Sequence, residues 1–260
     1  MRCGSGGTPA GSLVGGKVMD SSSVGGALRQ LLARTEIQET RALIAVNDAL
    51  ATFRVLRFPA ATTDQLIDSA VAKELSLDPE RMATRWVDVD RSAVHRTVYA
   101  LAWERSYIKR ITEAAKFAGL EAIAVDLKSA CVARVVAEPS CVVLDMSSDP
   151  TEIFLFDGHV PQLWHSFQLN VAIGDDLGPA LIPPLRSVLR FYKRRRAAEF
   201  DANSPILISG EQVLPAQMAA NLAQSLGHPV TALPAPARVP QEIRHSTYLT
   251  CIGLLMRRAS

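Results

Sequence analysis

Short apolar runs alternate along this sequence with segments whose apolar residues recur every three or four positions. The run "RALIAVND" has the length of a buried strand, and the runs "SPILISG" and "PVTAL" near the C-terminus are similar. Between them, "DQLIDSAVAKEL" and "LPAQMAANLAQSLG" have the apolar stripe of an amphipathic helix. Alternating strands and helices are typical of layered α/β domains, so we predict a mixed α/β fold.

The composition excludes several classes of protein. With 260 residues, 48% of them hydrophobic and 21% charged, the chain is long enough to bury one large core or two modest ones. A net charge of +2 is too small to indicate a nucleic-acid-binding protein, and no apolar run approaches the ~18 residues of a membrane span. The opening stretch lacks the apolar segment of a signal peptide, so we predict a cytoplasmic protein.

The four cysteines are too scattered to indicate a shared site. Cys3, Cys131, Cys141 and Cys251 form no CxxC pair, and no cysteine and histidine set has the spacing of a zinc site. The last three lie in apolar segments, where free cysteines commonly behave as small core residues. We therefore predict that all three are buried and that neither a disulfide nor a metal depends on them.

One hairpin raises the question of function. The stretch "VVLDMSSDPTEIFLFDGH" reads as two apolar strands joined by a small polar turn. Such a turn can grip phosphate through backbone N–H groups, or it can be an ordinary turn that an aspartate organises. Asp145 ends the first strand, and Pro150 lies in the turn, where it removes one N–H.

The order of the motifs resembles PilM, the actin-like protein of type IV pilus assembly and a relative of the cell-division protein FtsA. The resemblance covers nearly the whole chain. Its main segments are "SSVGGALRQLLARTEI", "VLRFPAATTDQLIDSAVAKELSL", "VYALAWERSYIKRITEAAKFAGLEAIAVDLKSACVARVV", the hairpin, "LRFYKRR", "ILISGEQVLPAQMAANLAQSLGHPV" and "CIGLLMR". It implies an actin-like, ribonuclease H-like α/β fold with two lobes. Residues 1–50 would be the remnant of an incomplete first lobe, 51–126 an inserted small β/α subdomain and 127–260 the second lobe.

The resemblance also implies a nucleotide site between the lobes. In the family, two hairpins and a Gly-rich turn hold the phosphates, and an aspartate at a strand end serves Mg²⁺. Asp145 occupies the place of that metal-binding residue. The residues that match the site as a whole are Asp145, Ser147, Ser148, Thr151, Gly210 and Glu211.

The match to that site is incomplete. Ser147 and Glu211 replace glycines, and the family's first hairpin and a long insert before Phe191 have no counterpart in this sequence. A hydrogen bond to a charged group is worth about 1.5–3 kcal/mol, so losing three would remove about 4.5–9 kcal/mol. Binding of a micromolar ligand amounts to only ~8 kcal/mol. We therefore predict a vestigial site that needs no cofactor, with binding of ATP and Mg²⁺ as the alternative.

The function implied by the resemblance is that of a structural adaptor. It would lie on the cytoplasmic side of the inner membrane, in the assembly platform of a type IV pilus or related secretion system. Its partner would be the cytoplasmic tail of a PilN-like single-span membrane protein, bound by residues 51–126. The strands "ATFRVLRF" and "TVYALAW" are expected to form the groove, together with the helices predicted at residues 64–75 and 104–118. We expect no nucleic acid and membrane contact only through partners, and self-association stays open. The alternatives are an ATPase with an atypical site and a domain of an actin-fold sugar kinase.

Two charged clusters each allow two interpretations. Asp175 and Asp176 could be an acid–base pair, but carboxylates are also favoured at a helix N-terminus. The run Lys193–Arg196 suits an anionic membrane surface or nucleic acid, but it also suits a solvated helix end whose cations complement the helix dipole. We favour the second interpretation in each case, and we predict no catalytic residue.

Overall fold

The computed structural model describes residues 2–75, 78–147, 150–170, 177–196, 200–210, 215–236, 239–240, 243 and 245–257. Two compact units, Met1–Lys128 and Ser129–Ser260, make up the chain. The helices are α1 (Ser21–Arg34), α2 (Asp64–Glu74), α3 (Arg105–Phe117), α4 (Lys128–Val135), α5 (Gly178–Arg196), α6 (Ala216–Leu226) and α7 (Leu249–Leu255). The strands are β1 (Leu13–Val14), β2 (Lys17–Val18), β3 (Arg41–Val46), β4 (Ala51–Pro59), β5 (Met82–Arg91), β6 (His95–Glu104), β7 (Glu121–Leu127), β8 (Cys141–Asp145), β9 (Thr151–Asp157), β10 (Val160–Phe167), β11 (Ile206–Ser209) and β12 (Val230–Ala232).

The first helix is capped by the residue that directly precedes it. Serines 21–23 are of a residue type that commonly caps helices, but the N-cap is Asp20, whose carboxylate accepts the backbone N–H groups of Ser22 and Ser23. The serine hydroxyls donate to the same carboxylate, at 2.7 and 2.6 Å. Both residue types are good N-caps, and the aspartate stands one position earlier, where its side chain reaches the first free N–H groups.

In the first unit, α1 and α3 lie against each other near a parallel strand pair. Strand β3 pairs with β7, and Val18, Leu50, Ile111 and Ala114 form a buried cluster beside them. Gly25 of α1 is buried where the two helices cross. Helix α3 and β7, which were assigned to the subdomain 51–126, therefore pack with elements of residues 1–50. The domain boundary at residue 50 stays a prediction.

A three-stranded antiparallel sheet, ordered β4-β6-β5, carries α2 on one face. The buried residues between sheet and helix are Ile67, Val71, Val98 and Ala100. Arg96 of β6 joins the layers, because its guanidinium binds Asp88 of β5 at 2.5 and 2.9 Å and Asp64 of α2 at 2.7 Å. The same guanidinium lies 4.9 Å above the ring of Trp86. Within this sheet the segment "RWVDVD" of β5 pairs antiparallel with "TVYALAW" of β6.

The second unit is a five-stranded sheet between two layers of helices. Its strand order is β10-β9-β8-β11-β12, antiparallel from β10 to β8 and parallel from β8 to β12. On one face, α5 and α6 pack on alternate residues of the central strands. The buried residues there include Val142, Leu144, Ile153, Leu155, Leu181, Leu185, Ile206 and Leu222. On the other face, Val132 of α4 and Leu249 of α7 cover Val143, Phe154 and Leu207.

The cysteines only partly follow the prediction. Cys131 and Cys141 are buried, and burial raises the pKa of the Cys141 thiol to about 12. Cys251 was expected in the core but is exposed. It lies on α7, where Leu249, Ile252 and Gly253 turn toward the protein, so Cys251 falls on the outer side of that short helix.

Candidate functional site

The predicted phosphate hairpin is present as a pair of adjacent strands. Strand β8 is buried along its whole length and pairs antiparallel with β9, from Cys141 opposite Phe156 to Asp145 opposite Glu152. Thr151 begins β9 and is 5% exposed. The hairpin prediction is therefore confirmed. Ser148 and Asp149, at the tip of its turn, lie outside the described residues.

Asp145 organises the start of this turn. One oxygen of its carboxylate accepts the backbone N–H of Ser147 at 3.0 Å and the Ser147 hydroxyl at 2.6 Å. The side chain is buried at the end of the strand, where only 1% of the residue is exposed. This is the geometry of an Asx turn, in which an aspartate side chain takes the place of a backbone acceptor.

Gly210 lies beside the same turn. Strand β11 runs parallel to β8 with Ser209 opposite Asp145, and the Ser209 carbonyl accepts the backbone N–H of Met146 at 2.7 Å. Gly210 follows with a φ of 144°, and a Cβ added there would lie 3.0 Å from the Cβ of Met146. The structure thus brings Asp145, Ser147 and Gly210 together. Glu211 and the pair Asp175 and Asp176 lie outside the described residues.

The described residues of this turn do not fit a phosphate grip. The backbone N–H groups of Met146 and Ser147 donate to the Ser209 carbonyl and the Asp145 carboxylate, so a phosphate could accept from them only if those hydrogen bonds were broken. The absence of a Cβ at Gly210 makes room for Met146. In the part of the chain that the structure describes, no three Asp, Glu, His or Cys residues cluster as metal ligands.

A second buried carboxylate, Glu152, adds to this mismatch. It is 2% exposed and stands directly opposite Asp145, so both side chains lie on the same face of the sheet. One oxygen of Glu152 accepts the indole N–H of Trp164 at 2.8 Å. Two acids on one face disfavour a phosphate beside them. The signal in the sequence was a lone charged residue inside the apolar run "TEIFLF".

The surface predicted to bind a partner is the three-stranded sheet of the first unit. Strand β6 is paired on both sides, so it offers no free backbone edge, contrary to the expectation for "TVYALAW". Strands β4 and β5 are the outer strands among the described residues. The sheet face opposite α2 is apolar in its middle row, where Val55 and Val87 flank Tyr99, and Val87 is 45% exposed.

No helix among the described residues has the length and apolarity needed to cross a membrane.

The fold has clear relatives among solved structures. PilM in the PilM–PilN type IV pilus biogenesis complex matches with a TM-score of 0.70 and 19% identity, over 95% of this chain and 88% of that one. The cytoplasmic domain of EpsL, an inner-membrane component of the type II secretion system of Vibrio cholerae, matches with a TM-score of 0.53 and 10% identity, over 90% of this chain and 82% of that one. No family model and no curated protein matches the sequence significantly. The similarity is one of structure, and it confirms the fold prediction: this chain has the actin-like α/β fold of PilM.

Proposed function

We propose that this protein is an adaptor in the inner-membrane assembly platform of a type IV pilus or a related secretion system. The observation that carries the proposal is the fold likeness over 95% of the chain to PilM in its complex with PilN. The weaker likeness to the cytoplasmic domain of EpsL points to the same kind of assembly. The protein would work on the cytoplasmic face of that membrane, holding the tail of a PilN-like single-span protein.

The geometry of the second unit supports a scaffold over an ATPase. The N–H groups of Met146 and Ser147 are satisfied within the protein, and two buried carboxylates share the face beside them. Phosphate binding there would require breaking those hydrogen bonds and placing like charges together. Asp145, with Ser147, Thr151 and Gly210, would then form a vestigial site whose present role is to hold the ends of β8 and β11 together.

The sheet of the first unit is the proposed binding surface for the partner tail. An extended peptide can add to a free strand edge while its side chains enter apolar pockets nearby. Strands β4 and β5 provide such edges, and the apolar row that contains Val87 lies on the sheet face next to them. Val87 is the most exposed residue of this row, at 45%, so a bound peptide could bury more apolar surface at Val87 than at Val55 or Tyr99.

The test is a fluorescence anisotropy titration of the full chain with the cytoplasmic tail of the single-span protein encoded beside this gene. Burying a valine side chain is worth about 1.5–3 kcal/mol, so Val87→Lys is expected to weaken binding about tenfold or more. Val94→Lys is the matched control, because Val94 is 79% exposed in the turn between β5 and β6. It is expected to bind as the unchanged protein does.

Two results would contradict the proposal. The first is a full-length protein that binds none of the tails encoded beside its gene. The second is a dissociation constant for Mg-ATP at or below micromolar in a calorimetric titration, which would favour the alternative of an ATP-binding protein. Equal binding by Val87→Lys and Val94→Lys would retain the adaptor but remove this sheet face from its mechanism.

A further inference from the structure

Helix α5 concentrates the positive charge of the second unit. Its sequence "GPALIPPLRSVLRFYKRRR" contains six Lys or Arg residues and no acid. The whole chain has a net charge of only +2, so the remaining residues carry a net charge of −4. The neighbouring helix α6 has no charged residue. The positive charge of α5 is therefore not neutralised by its own helix or by the helix packed beside it.

The orientation of α5 is fixed by its apolar side. Leu181, Leu185 and Val188 are buried against the sheet, at spacings of four and three residues. One turn later the buried Tyr192 donates its hydroxyl to Asp157 of β9 at 2.8 Å, which attaches the basic end of the helix to the sheet. The side of the helix turned away from these residues therefore faces outward.

The outward side combines cations with an aromatic ring. Arg190, Phe191 and Arg194 lie within one turn, all three are exposed, and Phe191 is 53% exposed. We call these three residues the basic face of α5. Arg186, one turn earlier, is held by a hydrogen bond to the Ser225 carbonyl of α6 at 3.0 Å, so it is not counted in this face.

A solvated helix end does not explain this arrangement. The helix dipole favours cations only within the last turn, and Arg190 lies before that turn of a helix that ends at Arg196. The dipole also gives no reason for a phenylalanine to be left half in water between two arginines. Helices that lie on anionic membrane surfaces combine basic residues with aromatic side chains that border them, and Phe191 borders Arg190 and Arg194 in this way.

We propose that the basic face of α5 binds the surface of an anionic lipid bilayer. Arg190 and Arg194 would contact lipid phosphates, and the ring of Phe191 would enter the boundary between headgroups and acyl chains. The half-exposed ring of Phe191 favours a bilayer over nucleic acid, because the headgroup boundary accepts an apolar ring beside the arginines, whereas a phosphate backbone offers the ring no apolar partner. This contact is direct, in contrast to the expectation that the protein meets the membrane only through partners. It rests on α5 alone and does not require the proposed adaptor function.

The test is co-sedimentation of the full chain with vesicles of phosphatidylcholine, with and without 30% phosphatidylglycerol. We expect binding only to the anionic vesicles, weakening as salt is added. Each cation near such a surface contributes about fivefold to binding, so Arg190→Gln with Arg194→Gln should lower the partition coefficient roughly 30-fold. Phe191→Ser should lower it as well. Arg41→Gln with Arg85→Gln removes two exposed arginines from the first unit and is expected to change it little.

Three results would overturn the proposal. One is the absence of binding to the anionic vesicles, and another is an equal loss for the two double variants. The third is a single-stranded oligonucleotide that binds more tightly than the vesicles and depends on the same arginines. Failure of this proposal is separable from failure of the adaptor, because the vesicles contain no protein. The Arg190→Gln, Arg194→Gln variant should still bind the partner tail in solution.

Discussion

The crossing of α1 and α3 predicts opposite effects for two adjacent glycines. A Cβ added at Gly25 would meet the Cβ of Phe117 and would lie 2.6 Å from the carbonyl oxygen of Ala114. A Cβ added at Gly26 would meet nothing within 4 Å. Both residues lie inside α1, so Gly25→Ala and Gly26→Ala add the same methyl group to the same helix.

The magnitudes follow from packing and helix propensity. An alanine in a helix interior is about 0.8–1 kcal/mol more favourable than a glycine, and Gly26→Ala should gain most of this in unfolding free energy. Gly25→Ala gains the same propensity but must push α3 away through its backbone. Overpacking of this kind costs about 1–3 kcal/mol and occasionally more. The propensity gain is common to both variants, so their difference equals the overpacking cost. Because the added Cβ at Gly25 meets backbone atoms, which cannot rotate aside as a side chain can, we take the upper part of the range and expect Gly25→Ala to be about 2–3 kcal/mol less stable than Gly26→Ala.

Urea denaturation followed by circular dichroism measures the difference. The two variants should have similar m-values, because each adds a single methyl group and the surface exposed on unfolding hardly changes. The midpoint should rise for Gly26→Ala and fall for Gly25→Ala. Unfolding free energies within about 0.5 kcal/mol of each other would refute the close crossing of α1 and α3 described above.

Two further predictions concern other contacts. Gly253→Ala in α7 should destabilise the protein strongly, because the added Cβ would overlap the Cys131 carbonyl and lie 3.0 Å from the Cys131 Cα. A melting temperature equal to that of the unchanged protein would contradict this packing. Hydrogen bonds from Ser23 and Ser22 lower the pKa of Asp20 from 3.8 to about 2, so the cap stabilises the fold above about pH 4 and loses this effect as the pH falls toward 2. At pH 7, Asp20→Ala should therefore have a lower melting temperature than the unchanged protein. The difference in melting temperature should become smaller below pH 4. A difference that is independent of pH would exclude the role of the Asp20 carboxylate as the cap.

Local sequence signals predicted much of the fold. The pair Gly15 and Gly16 between two short apolar pieces is a typical hairpin signal, and both glycines have positive φ values, 55° and 80°. Thr63 caps α2, and Gly227 ends α6 with a φ of 73°. Each of these features depends on the conformation of a few neighbouring residues, so residue type and spacing are sufficient to identify it.

Features that depend on distant residues were not predictable in this way. Gly25 resembles any helical glycine until Phe117, far along the chain, is known to lie against it. Glu152 resembles an ordinary strand residue until Asp145 and Trp164 are placed beside it. The role of Asp145 was ambiguous in the sequence. An aspartate at a strand end can bind Mg²⁺ or organise a turn, and the neighbouring residues are the same in both cases. The hydrogen bonds of Ser147, which depend on the folded turn, show that Asp145 organises it, and the role of Asp145 as a metal ligand stays a prediction.

We propose that this actin-like chain holds a protein segment and not a nucleotide. The most direct measurement is a calorimetric titration of the full chain with the cytoplasmic tail of the single-span protein encoded beside its gene, with and without Mg-ATP. We predict saturable binding of the tail, with an affinity that Mg-ATP leaves unchanged. A chain that binds Mg-ATP with micromolar affinity or better and does not bind the tail would contradict the claim.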